Sequence, residues 1–471
     1  MATTADPSTP TRSTPSTIVA FPCLDGVRAI AAGAVLAAHL AVSLHRTYPG
    51  AVDARWLAHV DALSRFGVLT FFMLSGFLLY RPFVLAQLSG TPAPRPVKFW
   101  IRRGVRILPG YWVALAGAIA LGVGVYTRPS AADYVTSFAL LQNYRAYGFF
   151  SSGLFVAWTL VIEVSFYAVL PGIAAIADRI GRRRGRRAVL RANVAVLGGL
   201  ATIGVATRAV AIFVLGASAS PTRTWFPISN LRSWLPSYLD VFACGMALAV
   251  VCAWRETGGG VPRVVSAFTR RPWAAWCMVG LMVVASARAG LPTVPGDLAI
   301  ARTPLFVVDE IAIVAALFLL IPAALPGARP GGVRRALAWR TVAIAGTLAF
   351  GIYLWQQAAI LLLERWYEDG TVVLGAGPSL VAASAMTIVA AYASFVLVEA
   401  PARDLALRAT GRVVPLRTWW RIGAATHGGD LDRFVWSGDA VLPGERIVVA
   451  TAILGATGFV LVLPAIRAAL G

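Results

Sequence analysis

Eleven predominantly apolar stretches of roughly 17 to 24 residues recur along the chain, over about 26–44, 66–85, 107–126, 154–177, 192–215, 235–254, 272–288, 303–325, 341–363, 378–399 and 447–466. A helix rises about 1.5 Å per residue, so each stretch can cross a hydrocarbon core of about 30 Å. Backbone amides find no water there and must bond within their own helix. The pattern predicts an all-α fold, a polytopic integral membrane helix bundle with eleven spans. The seventh stretch is the weakest, being short and running into Arg288.

Composition narrows the classes of function. Hydrophobic residues make up 58% of the 471 and charged residues only 13%, with a mean hydropathy of +0.72, a balance that no soluble domain of this length needs. The net charge of +21 raises nucleic acid as a partner, but Lys and Arg are sorted by connector. Connectors 81–106, 178–191, 255–271, 329–340 and 403–446 hold 28 of them, while the alternate connectors and the C-terminal end hold 11. By the positive-inside rule the rich connectors are cytoplasmic, which makes the chain a multi-pass protein of the cell membrane with its N-terminus in the cytoplasm. The charge then belongs to topology and to contact with anionic membrane lipids, and no nucleic-acid partner is expected.

The opening MATTADPSTPTRSTPST lacks an apolar segment and reads as a disordered cytoplasmic tail over 1–20 rather than a cleaved signal. Residues 21–404 form the membrane core, 405–446 a cytoplasmic polar connector whose Trp419 and Trp420 suit headgroup depth, and 447–471 the extra helix and C-terminus. Chemistry therefore falls to the bundle and its loops. Cys23, Cys244, Cys252 and Cys277 show no disulfide framework and read as packing residues.

Polar side chains inside the spans are costly in lipid and are the candidates for function. In LDGVRAIAAGAVLAAHL, residues 24–40, Arg28 and His39 are eleven positions apart. At about 100° per residue they share one helix face, about 16 Å apart along the axis. Asp25, three residues before Arg28, is placed to pair with it. Counting from the ends of each span puts Ser75 and Glu163 about nine residues in from the outer face, at the level of His39. Arg208, Asp240, Asp309, Glu310, Gln356 and Gln357 fall in the outer half by the same count. This predicts a cavity open to the outside, lined by acid, base and hydrogen-bonding groups. Packing offers a competing account at several positions: Ser75-Gly76 is a small pair that lets helices approach, Arg208 can neutralise Asp240 or Asp309, and the glutamines can join helices. His45, His59 and His427 lie outside the bundle without ligand spacing, so no metal is expected.

These segments resemble the acyltransferase 3 family of integral membrane acyltransferases. LDGVRAIAAGAVLAAHL is similar to that family's first helix, marked by Arg, ten residues, then His, here Arg28 and His39. FFMLSGFLL is similar to its second helix, and FWIRRGVRILPGYW to its basic loop and third helix, with an Arg-x-x-Arg at Arg103 and Arg106. AWTLVIEVSFYAVLP resembles its Trp-Ser-Leu-x-x-Glu segment at Trp158 and Glu163, and GIYLWQQ and LVEAPAR resemble its late-helix motifs. The similarity runs in order from 21 to about 404. It implies a ten-helix core that moves an acyl group, commonly acetyl, from cytoplasmic acyl-CoA to a hydroxyl of a cell-envelope or other glycan, a glycolipid or a small glycosylated metabolite, with no permanently bound cofactor. Two departures stand out. Gln356 occupies a position where the late motif often has His, so a second histidine takes no part, and an eleventh helix follows the core.

On that reading Arg103 and Arg106, beside Arg102 and assisted by Arg28, hold the phosphates of CoA, whose oxygens suit guanidinium forks. Positive-inside placement is the competing account of the same arginines. His39 acts as general base on the acceptor, with Glu163 fixing its tautomer or raising its basicity, or else carries the acyl group covalently. Ser75 as nucleophile is a third route, and Ser75, Asp309, Glu310 and Gln356 are candidates for substrate binding. Two other classes stay open: a polyprenyl-phosphate-sugar-dependent glycosyltransferase using an acid such as Asp53 or Asp61, and a non-enzymatic transporter, whose inverted repeats and broken helices are not evident in the sequence.

Overall fold

The structure is a computed structural model that describes residues 21–124, 129–145, 153–181, 185–215, 231–288, 302–325 and 332–409. Helices α1 (Pro22–Thr47), α2 (Ala54–Ser89) and α3 (Pro96–Ala120) are followed by the short α4 (Ala131–Phe138). Next come α5 (Trp158–Gly181), α6 (Arg186–Ala209), α7 (Leu239–Glu256) and the short α8 (Arg263–Arg270). Then follow α9 (Pro272–Arg288), α10 (Arg302–Ala324), the short α11 (Gly332–Leu337), α12 (Arg340–Glu368), α13 (Ala376–Ser394) and α14 (Ala400–Ala409). Each of the first ten apolar stretches coincides with a helix, and among the described residues eight helical segments are long and apolar enough to cross a membrane. The remaining two are α9, which is short, and α3, whose first turns carry Lys98, Arg102, Arg103 and Arg106. The expected tail over 1–20, the connector beyond residue 409 with Trp419 and Trp420, and the eleventh span lie outside the described residues.

Two helix pairs organise the bundle, α1 with α12 and α2 with α7. The first pair is parallel: Asp25 lies against Gly346, and Arg46 bonds Glu364 at 3.1 Å near the other end. Glycine permits this approach, since a methyl group at Gly346 would collide with the Asp25 carbonyl. Gly76 of α2 meets the Phe242 carbonyl of α7 in the same way, so the small-residue reading of Ser75-Gly76 holds for its glycine. Phe242 also stacks between Phe72 of α2 and Phe166 of α5, at centroid distances of 5.1 and 3.9 Å, which joins α5 to the pair. Val194, Ile203, Leu281, Val381 and Val389 stay exposed on the outside, the surface a lipid-facing bundle needs.

Two helix starts differ from the sequence expectation, and they move the polar residues. Helix α2 begins at Ala54 rather than near 66, because hydropathy marks where a span is apolar and not where its helix ends. It runs back past α1 with Gly67 on Ala31 and Val35, and Phe77 lies 5.5 Å from Phe21 between ring centroids. Helix α5 starts half-way along α12: in the 3₁₀ turn before it, the Val156 carbonyl accepts from the Tyr353 hydroxyl at 2.9 Å, and the Val156 N–H donates to Gln357 Oε1 at 2.9 Å. Asn143 Nδ2 fixes the same start by donating to the carbonyls of Trp158 and Ser233, each at 2.8 Å. Ser75 and Glu163 therefore stand at the Arg28 end of α1, away from His39. The count that set all three at one depth is corrected.

Gly346→Ala should destabilise the detergent-solubilised protein by about 1–3 kcal/mol through overpacking at α1. Thermal unfolding followed by size-exclusion chromatography reads the effect. Gly377→Ala is the control, since nothing lies within 4 Å of the added methyl there, and it should not lower the midpoint.

Candidate active site

Helices α1, α2, α3, α5 and α12 enclose a cavity of about 100 Å³, room for several water molecules. Arg28 of α1, Ser75 of α2, Arg103 and Arg106 of α3, and Thr159, Glu163 and Tyr167 of α5 form its polar wall. Val68, Phe71, Phe350 and Tyr353 contribute to the apolar remainder.

Glu163 is the hub of that wall. Its Oε1 accepts from Ser75 Oγ at 2.6 Å and from the Tyr167 hydroxyl. Glu163 and Tyr167 are four residues apart and so leave α5 on one face. Trp100 Nε1 donates to the Tyr167 carbonyl at 3.0 Å, which ties α3 to the same group. Three helices are thereby fixed around one carboxylate.

The arginines are less evenly matched. Arg28 pairs with Asp25, as their helical spacing predicts. Arg103 is half-buried, and its Nε has no hydrogen-bond partner among the described residues. Arg106 is exposed, with Glu399 nearby across Gly110 of α3; Ser394 Oγ donates to Glu399 at 3.1 Å. Three guanidinium groups on one wall have the chemistry that suits an anion with several oxygens. Tyr167 and Glu399 were not singled out from sequence. The spacing from Glu163 was the available signal for Tyr167, and the LVEAPAR segment the available signal for Glu399.

The other candidates lie elsewhere. His39 is half-buried one turn beyond Val35 on α1 and is not among the residues that line the cavity. Gln356 is buried one turn beyond Tyr353, with Nε2 donating to the Tyr353 carbonyl at 3.2 Å. Asp309 pairs with Arg65 at 3.1 Å and Arg232 at 2.9 Å, whereas its neighbour Glu310 meets Arg208 at 2.5 Å. Consecutive helical residues point about 100° apart, which sends the two acids to different partners. Arg208 also holds Asp240, at 2.5 Å, so of the two acids expected as its partner Asp240 is the one it binds. The single outward cavity expected from sequence thus resolves into the arginine cavity, the His39 level and these ion-pair sets. Among the described residues no group of three His, Cys, Asp or Glu side chains is close enough to hold a metal ion.

Arg208→Met should cost about 3–5 kcal/mol, because it strands Asp240 and Glu310. Combining it with Asp240→Leu and Glu310→Met should recover much of that loss in thermal unfolding. A triple variant no more stable than Arg208→Met would show that the network is not a closed charge balance.

The profile of the Acyl_transf_3 family, described as an acyltransferase domain, matches residues 21–399. Acyltransferase MdmB of Streptomyces mycarofaciens is 26% identical over 425 residues, which cover 86% of this chain and 96% of that protein. Peptidoglycan O-acetyltransferase OatA of Listeria monocytogenes serovar 1/2a is 29% identical over 163 residues, 32% of this chain and 23% of that protein. Nodulation protein 10 of Rhizobium leguminosarum bv. viciae is 28% identical over 193 residues, 37% of this chain and 48% of that protein. No solved structure matches significantly. The family match spans every residue of the cavity wall and sets aside the glycosyltransferase and transporter readings: the chain belongs to the acyltransferase 3 family and is a membrane O-acyltransferase.

Proposed function

We propose that the protein moves a short acyl group, acetyl in the first instance, from cytoplasmic acyl-CoA to a hydroxyl of an extracytoplasmic glycan, glycolipid or small glycosylated molecule at the cell membrane. The observation that carries the reading is the convergence of Arg28, Arg103 and Arg106 on a cavity whose polar wall they share with the Ser75–Glu163–Tyr167 group. Arg103 and Arg106 belong to the Lys/Arg-rich connector 81–106, on the side the positive-inside rule assigns to the cytoplasm. They take the CoA phosphates, with Arg28 assisting, and the pantetheine arm points along α1 toward His39. His39, about 16 Å from Arg28 along that helix, takes the proton of the acceptor hydroxyl as its oxygen bonds the acyl carbon. The carbon–sulfur bond breaks and the proton passes to the departing CoA thiolate. Glu163 is a positioning residue that holds Ser75 and Tyr167 beside the donor. The acceptor class agrees with the name of the relative OatA, which gives acetyl as its group and peptidoglycan as its acceptor.

The 2.6 Å bond from Ser75 to Glu163 favours one second reading, in which Ser75 carries the acyl group with Glu163 as its base. Incubation with donor alone and peptide mass spectrometry separates the two, since acyl-Ser75 accumulates only on the covalent route.

His39→Ala should abolish transfer while the protein still accumulates in membranes. Full acylation by that variant would remove histidine from the chemistry. Replacing Arg103 and Arg106 together by Gln should raise the KM for acyl-CoA about 10- to 100-fold, as expected for lost bonds to charged groups. An unchanged donor KM in protein of intact topology would assign the pair to topology alone. In sealed vesicles supplied with labelled acyl-CoA on the cytoplasmic face, label should appear on acceptor held at the opposite face. Equal acylation of acceptor on the cytoplasmic face would refute transfer across the membrane.

A further inference from the structure

We propose that Phe71 and Tyr353, packed with Val35, Val68 and Val156, form a constriction that selects the acyl group by its girth between the arginine cavity and His39. The proposal rests on the acyl-CoA reading above.

These five side chains form one small apolar cluster contributed by α1, α2, the turn before α5, and α12. Val35 and Val156 are almost wholly buried, and the rings of Phe71 and Tyr353 meet edge to face with centroids 6.1 Å apart. Val68, Phe71 and Tyr353 also line the cavity, so the cluster is its apolar end wall. On α1 that wall lies between the two candidate residues: Val35 is seven positions beyond Arg28 and four before His39, on His39's side of the helix. On α12 the lining runs from Gly346 to Tyr353, and Gln356 is the next turn. A group travelling from the arginines to His39 crosses this layer.

The two rings are held differently. The Tyr353 hydroxyl lies 2.7 Å from Thr159 Oγ1 and donates to the Val156 carbonyl at 2.9 Å, while Gln357 anchors the Val156 N–H. Phe71 has no polar group with which to be anchored and is half-buried. Tyr353 is thus the fixed side of the passage and Phe71 the side that yields. In an apolar passage one extra methyl group is discriminated about 10- to 200-fold. A branched acyl group is wider than a straight one with the same number of carbons, so branching is what this layer resists.

The test uses membrane vesicles from a deletion strain of the native host, which carry the endogenous acceptor, complemented with wild type or variant. Radiolabelled acetyl-, butanoyl- and 2-methylpropanoyl-CoA are supplied separately, and label in the glycan and lipid fractions is normalised to the amount of protein. Phe71→Ala should raise the ratio of 2-methylpropanoyl to acetyl incorporation about tenfold or more, and by more than it raises the butanoyl ratio. Val68→Ala should act in the same direction to a smaller extent, and it decides the matter if Phe71→Ala fails to accumulate. Val381→Ala, on the exposed outer face of α13 and outside the cluster, should leave the ratio where it was. Unchanged ratios in accumulating Phe71→Ala and Val68→Ala variants that incorporate acetyl would overturn the constriction alone, as would an equal rise in Val381→Ala, which would signal general loosening. Wild type that incorporates label from none of the three donors would refute the acyl-CoA reading, and the constriction with it.

Discussion

An ionised side chain inside an apolar bundle has to be compensated, because desolvation costs several kcal/mol per charge even after relaxation. The protein meets this constraint in two ways. Around Arg208 the compensation is internal: Arg208 binds Asp240 and Glu310, while Asp309 is shared by Arg65 and Arg232. Every acid there has a guanidinium, and the network joins α2, α6, α7, α10 and the turn before α7 into one unit. Around the cavity the compensation is incomplete, since Arg28 has Asp25 but Arg103 and Arg106 have no ion pair among the described residues. Guanidinium groups left without an acid at a cavity are suited to an anionic ligand. This difference in ion pairing separates the structural charge cluster from the candidate binding site; an Nε without a partner among the described residues does not, since Arg208 and Arg232 carry one as well as Arg103.

The close packing of α1 on α12 follows from the same economy of space. Gly346 brings the Asp25 carbonyl to the surface of α12, and the parallel run of the two helices sets the cavity, the Val35–Tyr353 layer and the His39 level in succession along one axis. Helix α5 completes the arrangement because its start is held deep in the bundle by Tyr353, Gln357 and Asn143. Had α5 begun at the membrane edge, Glu163 would stand level with His39. Instead it faces Ser75, and on the proposed reading the donor and acceptor ends of the reaction are kept apart by a dry layer. On that reading such a layer keeps water on the acceptor side from the thioester until the acyl group has passed it.

Much of this was legible along the chain. The ten helices followed from apolar length, since backbone groups in lipid leave few alternatives. The Arg28–Asp25 pair followed from a three-residue helical spacing, which tertiary structure cannot change. The assembly of Arg28, Arg103, Arg106, Ser75 and Glu163 in one cavity contains five of the residues that spacing and family resemblance singled out. The acyltransferase class itself was carried by ordered motifs that the family match spans.

Depth and partnership were decided by the fold. Hydropathy reports the apolar length of a span and says nothing of where its helix begins, so Ser75 and Glu163 were set at the level of His39 until the early start of α2 and the deep start of α5 placed them with Arg28. Asp309 and Glu310 are adjacent in sequence, yet they engage different arginines on different elements, a choice that rests on which helices pack beside α10. Tyr167 becomes part of the site because α5 turns one face to α2 and α3. Local spacing thus determined which side chains share a helix face and that the chain spans a membrane. Which faces meet, and at what depth, depended on where glycines allow helices to touch and on where loop hydrogen bonds let them begin, and those are long-range contacts that no local pattern encodes.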